Sequence, residues 1–262
     1  MMRSPDQANA VGHVQASIAA LLPPRLGVVC TAVDGDPRNL YPEERISIIQ
    51  AVPGRQREFA AGRAAAREAM ACIGVERGPV PSGPDRAPIW PLGLVGSISH
   101  TRQICIVAVG HAKEVGSIGI DVEERLPVSP DLWHSICTPK EQTYLQSQPV
   151  EQRGDIVTQL FSAKEAFYKW QYPLTRRLLD FQDVQVNLEL GGGGFSVGPV
   201  DALRWPDALA PVTGGMFTDK QWVIAWVCGH PGRPRVPQGM RPGNLQAALP
   251  QNPPSNHTEV LP

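Results

Sequence analysis

Residues 117–124 read SIGIDVEE, and an extended backbone is what sorts that string into an oily side and an acidic one. Side chains alternate along a strand, so Ile118, Ile120 and Val122 share one face while Asp121 and Glu123 share the other. The rest of the chain must then supply an apolar layer to one face and a polar setting to the other. Carboxylates two residues apart on a strand stand about 7 Å from each other, close enough to converge on one cation. A half-buried strand with a solvated acidic face gives the same pattern, and the segment alone leaves both readings open.

Two β-branched runs precede it, LVGSISH (94–100) and ICIVAVG (104–110), and the three together predict an antiparallel meander. Further strands are predicted at 26–33, 184–190, 194–200 and 221–229. The last of these alternates Trp222, Ile224 and Trp226 with Val223, Ala225 and Val227, the pattern of a strand buried on both faces. The first dozen residues read as loose, followed by a short helix stopped by Pro23 and Pro24. Helical patterns follow at 41–52 and 54–74. The stretch 78–93, with five prolines, is an irregular connection. Residues 125–150 read as loop and then helix, with Thr138 as N-cap, Pro139 at the first helical position and Glu141 three after the cap. From Gly229 onward, eight prolines in 34 residues predict a disordered tail. The resulting organisation is a loose N-terminus (1–15), a first half (16–126), a second half (127–228) and the proline-rich tail (229–262).

A hydrophobic fraction of 42% with 19% charged residues describes a globular chain, and a net charge of -1 argues against nucleic-acid binding by charge alone. A local pocket for a small anion stays open. The five cysteines show no C-x-x-C spacing and the histidines no H-x-x-x-H or H-E-x-x-H spacing, which disfavours a disulfide framework or a zinc site. The apolar run at Ile18–Leu22 is too short for a membrane span or a signal peptide, so the expectation is a cytoplasmic protein.

Three segments carry ionisable groups in suggestive order. In FSAKEAFYKW (161–170), helical spacing makes a stripe of Ala163, Ala166, Phe167 and Trp170 and leaves Lys164, Glu165, Tyr168 and Lys169 on the other side. Alone, this also fits a capping box from Ser162 to Glu165 and an ordinary Glu165–Lys169 ion pair. In GSISHT (96–101), Ser99 and His100 face opposite ways as strand neighbours. That disfavours a catalytic dyad and leaves either a phosphate seat or a structural histidine. Arg55, Arg57, Arg63 and Arg67 crowd one helix, where they suit a phosphate or pair with distant acids.

Taken in order, REFAAGRAAAR, PIWP…VGSISHT, GIDVE and FSAKEAFYKWQYPLTRR resemble the 4'-phosphopantetheinyl transferases, specifically the subfamily serving siderophore and other peptide synthetases. The resemblance runs from about Tyr41 to about Val227. It implies an α+β fold of two similar halves related by pseudo-two-fold symmetry, with the active site in the cleft between them. It also implies that the arm of coenzyme A is moved to a serine of an acyl- or peptidyl-carrier protein, with release of 3',5'-ADP. By the same resemblance Asp121, Glu123 and Glu165 are the Mg²⁺ ligands, and Glu165 and Lys169 are catalytic, Glu165 accepting the serine proton directly or through a metal-bound water. Arg55, Arg63, Ser99, His100 and Lys164 are implied to hold coenzyme A, the arginines at its 3'-phosphate. Where the family often has a lysine before a proline, Arg86 is the nearest basic residue. A monomer is expected, with no nucleic-acid partner. A Mg²⁺-dependent phosphohydrolase and a non-catalytic binding module are the rival readings.

Overall fold

The computed structural model describes residues 5–189, 191, 193–206 and 209–231. The proline-rich tail, apart from its first three residues, lies outside the described residues. Among the described residues, seven α-helices and eight strands make an α+β fold. The helices are α1 (Pro5–Leu21), α2 (Pro42–Arg45), α3 (Pro53–Cys72), α4 (Ala112–Val115), α5 (Trp133–Ile136), α6 (Pro139–Gln146) and α7 (Val150–Thr175). The strands are β1 (Gly27–Ala32), β2 (Leu94–His100), β3 (Ile104–His111), β4 (Ser117–Glu124), β5 (Val184–Leu188), β6 (Gly194–Pro199), β7 (Val212–Thr218) and β8 (Trp222–Gly229). They form a three-stranded sheet in the order β1-β3-β2 and a five-stranded sheet in the order β4-β8-β7-β6-β5.

The predicted meander is corrected at its third strand. β2 and β3 pair antiparallel, but β4 pairs along its whole length with β8, from Ser117 opposite Gly229 to Glu124 opposite Trp222. Grouped by sequence with the first half, β4 belongs by hydrogen bonding to the second sheet. The physical reason lies in β8, whose two apolar faces demand a neighbour buried as deeply as itself. Trp222, Ile224 and Trp226 join β4, β1, β3 and α1 in one core, while Val223, Ala225 and Val227 join α7 in another. α3 covers the outer face of the smaller sheet.

Other boundaries shift for identifiable reasons. Residues 5–15, read as loose, are already helical in α1, which Gln15 ties to the sheet by donating to Val28 O and accepting from Cys30 N. Thr138, Pro139 and Glu141 do cap α6 as expected. Ser162 does not cap a helix, because α7 begins at Val150 and runs 26 residues through it. β7 was not anticipated, since Gly214 and Gly215 depress strand propensity. Both are needed: a Cβ at Gly214 would stand 2.2 Å from the Phe195 ring, and one at Gly215 2.2 Å from the Trp226 ring.

A closer approach sets up the site. At Gly119 on β4, a Cβ would lie 1.9 Å from Ala166 O and 2.5 Å from Trp170 N, so the helix backbone rests directly on the strand. Two residues further along the same face is Asp121. Gly119→Ala is expected to push α7 off β4, costing about 1–3 kcal/mol of stability and about 10²-fold in activity through misplacement of the facing side chains. Thermal melts and turnover of the purified variant check both.

Candidate active site

The face of β4 that carries Asp121 looks at α7, and the seam with β2 lies beside it. Asp121 is 3% exposed, and its Oδ1 accepts from Lys169 Nζ at 2.6 Å and from Ser99 Oγ at 2.9 Å. Lys169 Nζ also donates to Ser99 Oγ at 3.0 Å. Asp121 Oδ2 is buried with no hydrogen-bond partner. The remaining carboxylates crowd the same place. Burial, then the Asp121 charge, pushes the Glu123 carboxyl up to about 7 against the pull of Lys169, with Glu165 adding to the rise. Burial likewise raises Glu165, with Lys169 opposing and Asp121 adding. Asp121, Glu123, Glu165 and Lys169 are thus mutually coupled. Among the described residues, though, no three acidic, histidine or cysteine side chains stand ready as a cation cage.

A basic track leads away from this cluster. His100 Nδ1 lies 3.2 Å from Thr101 O, and its Nε2 is 2.7 Å from Arg55 Nη1. Burial lowers the imidazole's pKa, so a neutral ring with Nδ1–H donating and Nε2 accepting fits both contacts. Arg55 also meets Glu58 at 3.2 Å. Arg63 is 6% exposed, stacked 4.0 Å over Phe59 and bonded to Ser82 Oγ at 3.0 Å, with its Nε unpartnered. Burial lowers this guanidinium to about 10. Among the described residues no carboxylate contacts this guanidinium, which leaves it with a spare donor. Its helix neighbour Arg67 is different, being committed to the buried Glu44 at 3.1 Å.

Lys164 does not join the cluster. It is 1% exposed, and its ammonium donates to Glu141 Oε2 at 2.7 Å and to the Ile136 and Phe181 carbonyls at 2.8 Å each. All three of its protons are used inside the protein, so the expected coenzyme A contact through this side chain is corrected to a structural role. Successive helix positions turn about 100°, which puts Lys164 only about 20° from Gln171, a fully buried residue. The Ser99 hydroxyl bonds within the protein, to Asp121, Lys169 and, at 3.3 Å, Val122 N.

Beside Lys169 opens a cleft of about 670 Å³, walled by the 83–90 loop, β2 and the last turns of α7. Trp90, Tyr168 and Tyr172 give it aromatic sides, and Arg86 and Arg176 basic ones. Asp85 crosses from the loop to the helix, accepting from Tyr172 at 2.9 Å and Arg176 at 3.2 Å. These residues were not singled out from the sequence, apart from Arg86 and Tyr168. The i,i+4 spacing of Tyr168 and Tyr172 was the available signal.

Known proteins resemble the chain over most of its length. Residues 43–110 match the 4'-phosphopantetheinyl transferase N-terminal domain, and residues 117–224 match the 4'-phosphopantetheinyl transferase superfamily. The chain is 36% identical over 207 residues to 4'-phosphopantetheinyl transferase Svp of Streptomyces mobaraensis, covering 77% of this chain and 81% of that protein. The chain belongs to the 4'-phosphopantetheinyl transferases. The transferase is also 35% identical to PptT of Mycobacterium tuberculosis over 62% of this chain and 71% of that one. Enterobactin synthase component D of Escherichia coli is 34% identical over 51% of this chain and 63% of its own length. The second match begins at β4, the strand that structure assigns to the second sheet. No helix among the described residues is long and apolar enough to cross a membrane.

Proposed function

We propose that this transferase moves the 4'-phosphopantetheine arm of coenzyme A to a serine of an apo acyl- or peptidyl-carrier protein in the cytoplasm, including carriers of siderophore or peptide synthetases. The observation that carries this is the charge pattern at the seam: three interacting carboxylates beside Lys169, which itself lines the cleft, with a basic track of His100, Arg55 and Arg63 running from them. That is an arrangement for a long, amphipathic, polyphosphorylated ligand.

The donor set fits a divalent cation. Asp121 Oδ2 is a buried acceptor with nothing to accept, and Glu123 is pushed up to about 7 by burial and then by the Asp121 charge, a repulsion that a cation would relieve. Asp121, Glu123 and Glu165 would hold Mg²⁺, whose charge would offset that of the coenzyme A pyrophosphate. The chain's own groups do the rest. Arg55, His100 and Arg63 anchor the adenosine 3'-phosphate end. The aromatic cleft receives the pantetheine arm, its volume in the range of small-ligand sites. The carrier serine Oγ forms a bond to the β-phosphorus as the P–O bond to the leaving 3',5'-ADP breaks. Glu165, beside Asp121 and Lys169 in the same cluster, takes the serine proton. Lys169 neutralises charge developing on the phosphates.

Incubating an apo-carrier domain with pantetheine-labelled coenzyme A, Mg²⁺ and the enzyme tests the reaction class. Label on the carrier supports transfer, and label released as free phosphopantetheine supports the phosphohydrolase reading instead. A separate expectation concerns Arg63. Arg63→Met keeps the packing over Phe59 but removes the anion contact, and should weaken coenzyme A binding by about 1.5–3 kcal/mol while saturated turnover changes little. The loss should shrink with dephospho-coenzyme A. Titration calorimetry with both ligands decides it.

A further inference from the structure

Among the described residues, β2 and β4 each pair through the backbone on one side only, β2 with β3 and β4 with β8. Their other edges face each other, and two strands brought edge to edge would ordinarily join by backbone hydrogen bonds. Instead two serine side chains stand between them. Ser97 Oγ accepts from Ile120 N at 3.0 Å and donates to Ile120 O at 3.4 Å. Two residues on, Ser99 Oγ accepts from Val122 N at 3.3 Å and donates to Asp121 Oδ1 at 2.9 Å. Both are buried, 3% and 6% exposed. The partners advance by two on each strand in the same direction, so the serines form a side-chain ladder along a parallel seam. A hydroxyl serves because it donates and accepts at once, and its reach sets the strands further apart than direct pairing allows.

We propose that this ladder is the device that registers the two sheets on each other, and that Ser99 is a positioning residue holding Asp121 Oδ1 and Lys169 Nζ in one hydrogen-bonded group. Ser97 fixes β4 lengthwise against β2. Ser99, at the next rung, converts that register into the placement of the carboxylate and the ammonium. In this account the Ser99 hydroxyl contacts no phosphate. The catalytic part of the inference rests on the transferase reading above, whereas the ladder itself does not.

The test uses the full chain with Ser97→Ala, Ser99→Ala and Ser99→Thr. Carrier modification gives kcat and the KM for coenzyme A, and amide hydrogen exchange is followed at Ile120 and Val122. Ser99→Ala is expected to lower kcat at least tenfold with KM within threefold of wild type, and Ser99→Thr to recover most of the loss by restoring the hydroxyl. Exchange at Val122 should quicken at least tenfold in Ser99→Ala and at Ile120 in Ser97→Ala, with the amides of β3 unaffected. A Ser99→Ala enzyme with raised KM and wild-type kcat would mean that the hydroxyl binds coenzyme A, and would overturn the positioning role. Unchanged exchange at both amides would overturn the ladder. Should the wild-type chain transfer nothing, the function fails, and the exchange data still decide the seam.

Discussion

Asp121→Asn should leave a folded protein that modifies carriers about 10²–10³-fold more slowly than wild type, the loss expected when one fixed electrostatic group is removed from a phosphoryl-transfer site. The side chain is nearly isosteric, so packing around its 3% exposed position is kept. What is lost is the charge that holds Lys169 at 2.6 Å and the acceptor capacity of the unpartnered Oδ2. Rate constants at saturating coenzyme A, with melting curves alongside, check this. A variant with wild-type turnover would remove Asp121 from the site.

The second large effect falls on stability rather than rate. Lys164→Met should destabilise the fold by about 3–5 kcal/mol, the cost of breaking a buried ion pair from one side. Glu141 would remain buried, still accepting from Thr138 N and Val186 N, and the carbonyls of Ile136 and Phe181 would lose their donor. At about 2–4 °C per kcal/mol for a chain of this size, the melting temperature should fall by roughly 10 °C. Whatever remains folded should bind coenzyme A normally. A stable Lys164→Met enzyme with weakened coenzyme A binding would return this lysine to the ligand site.

These two residues show which parts of the site could be read from sequence. Asp121 and Glu123 were placed correctly on one face because strand alternation is a rule of two. Lys169 was placed because its helix position faces away from the apolar stripe. Lys164 was misplaced because it sits at the stripe's border, and its fate depends on Glu141, brought in by α6 from a separate part of the chain. Pattern within one helix cannot reveal such a partner. Long-range pairing hid other features too. The strands β2, β3 and β4 were located nearly to the residue, yet nothing in their sequences says that β4 will leave the meander for β8. The start of α7 was missed because Gly154 interrupts its apolar pattern. That glycine is there for Pro127, whose ring atom would lie 2.7 Å from a Cβ. The serine ladder escaped because Ser97 and Ser99 look like ordinary polar positions of a half-exposed strand until β4 is laid beside them.

Mass spectrometry of an apo-carrier domain, incubated with coenzyme A, Mg²⁺ and either wild-type or Asp121→Asn enzyme, tests phosphopantetheine transfer through a site built on Asp121. The carrier should gain the mass of one 4'-phosphopantetheine with wild-type enzyme, 3',5'-ADP should accumulate in step, and both should fall together with the variant. Several apo-carriers left at their original mass by wild-type enzyme, while coenzyme A is consumed, would contradict it.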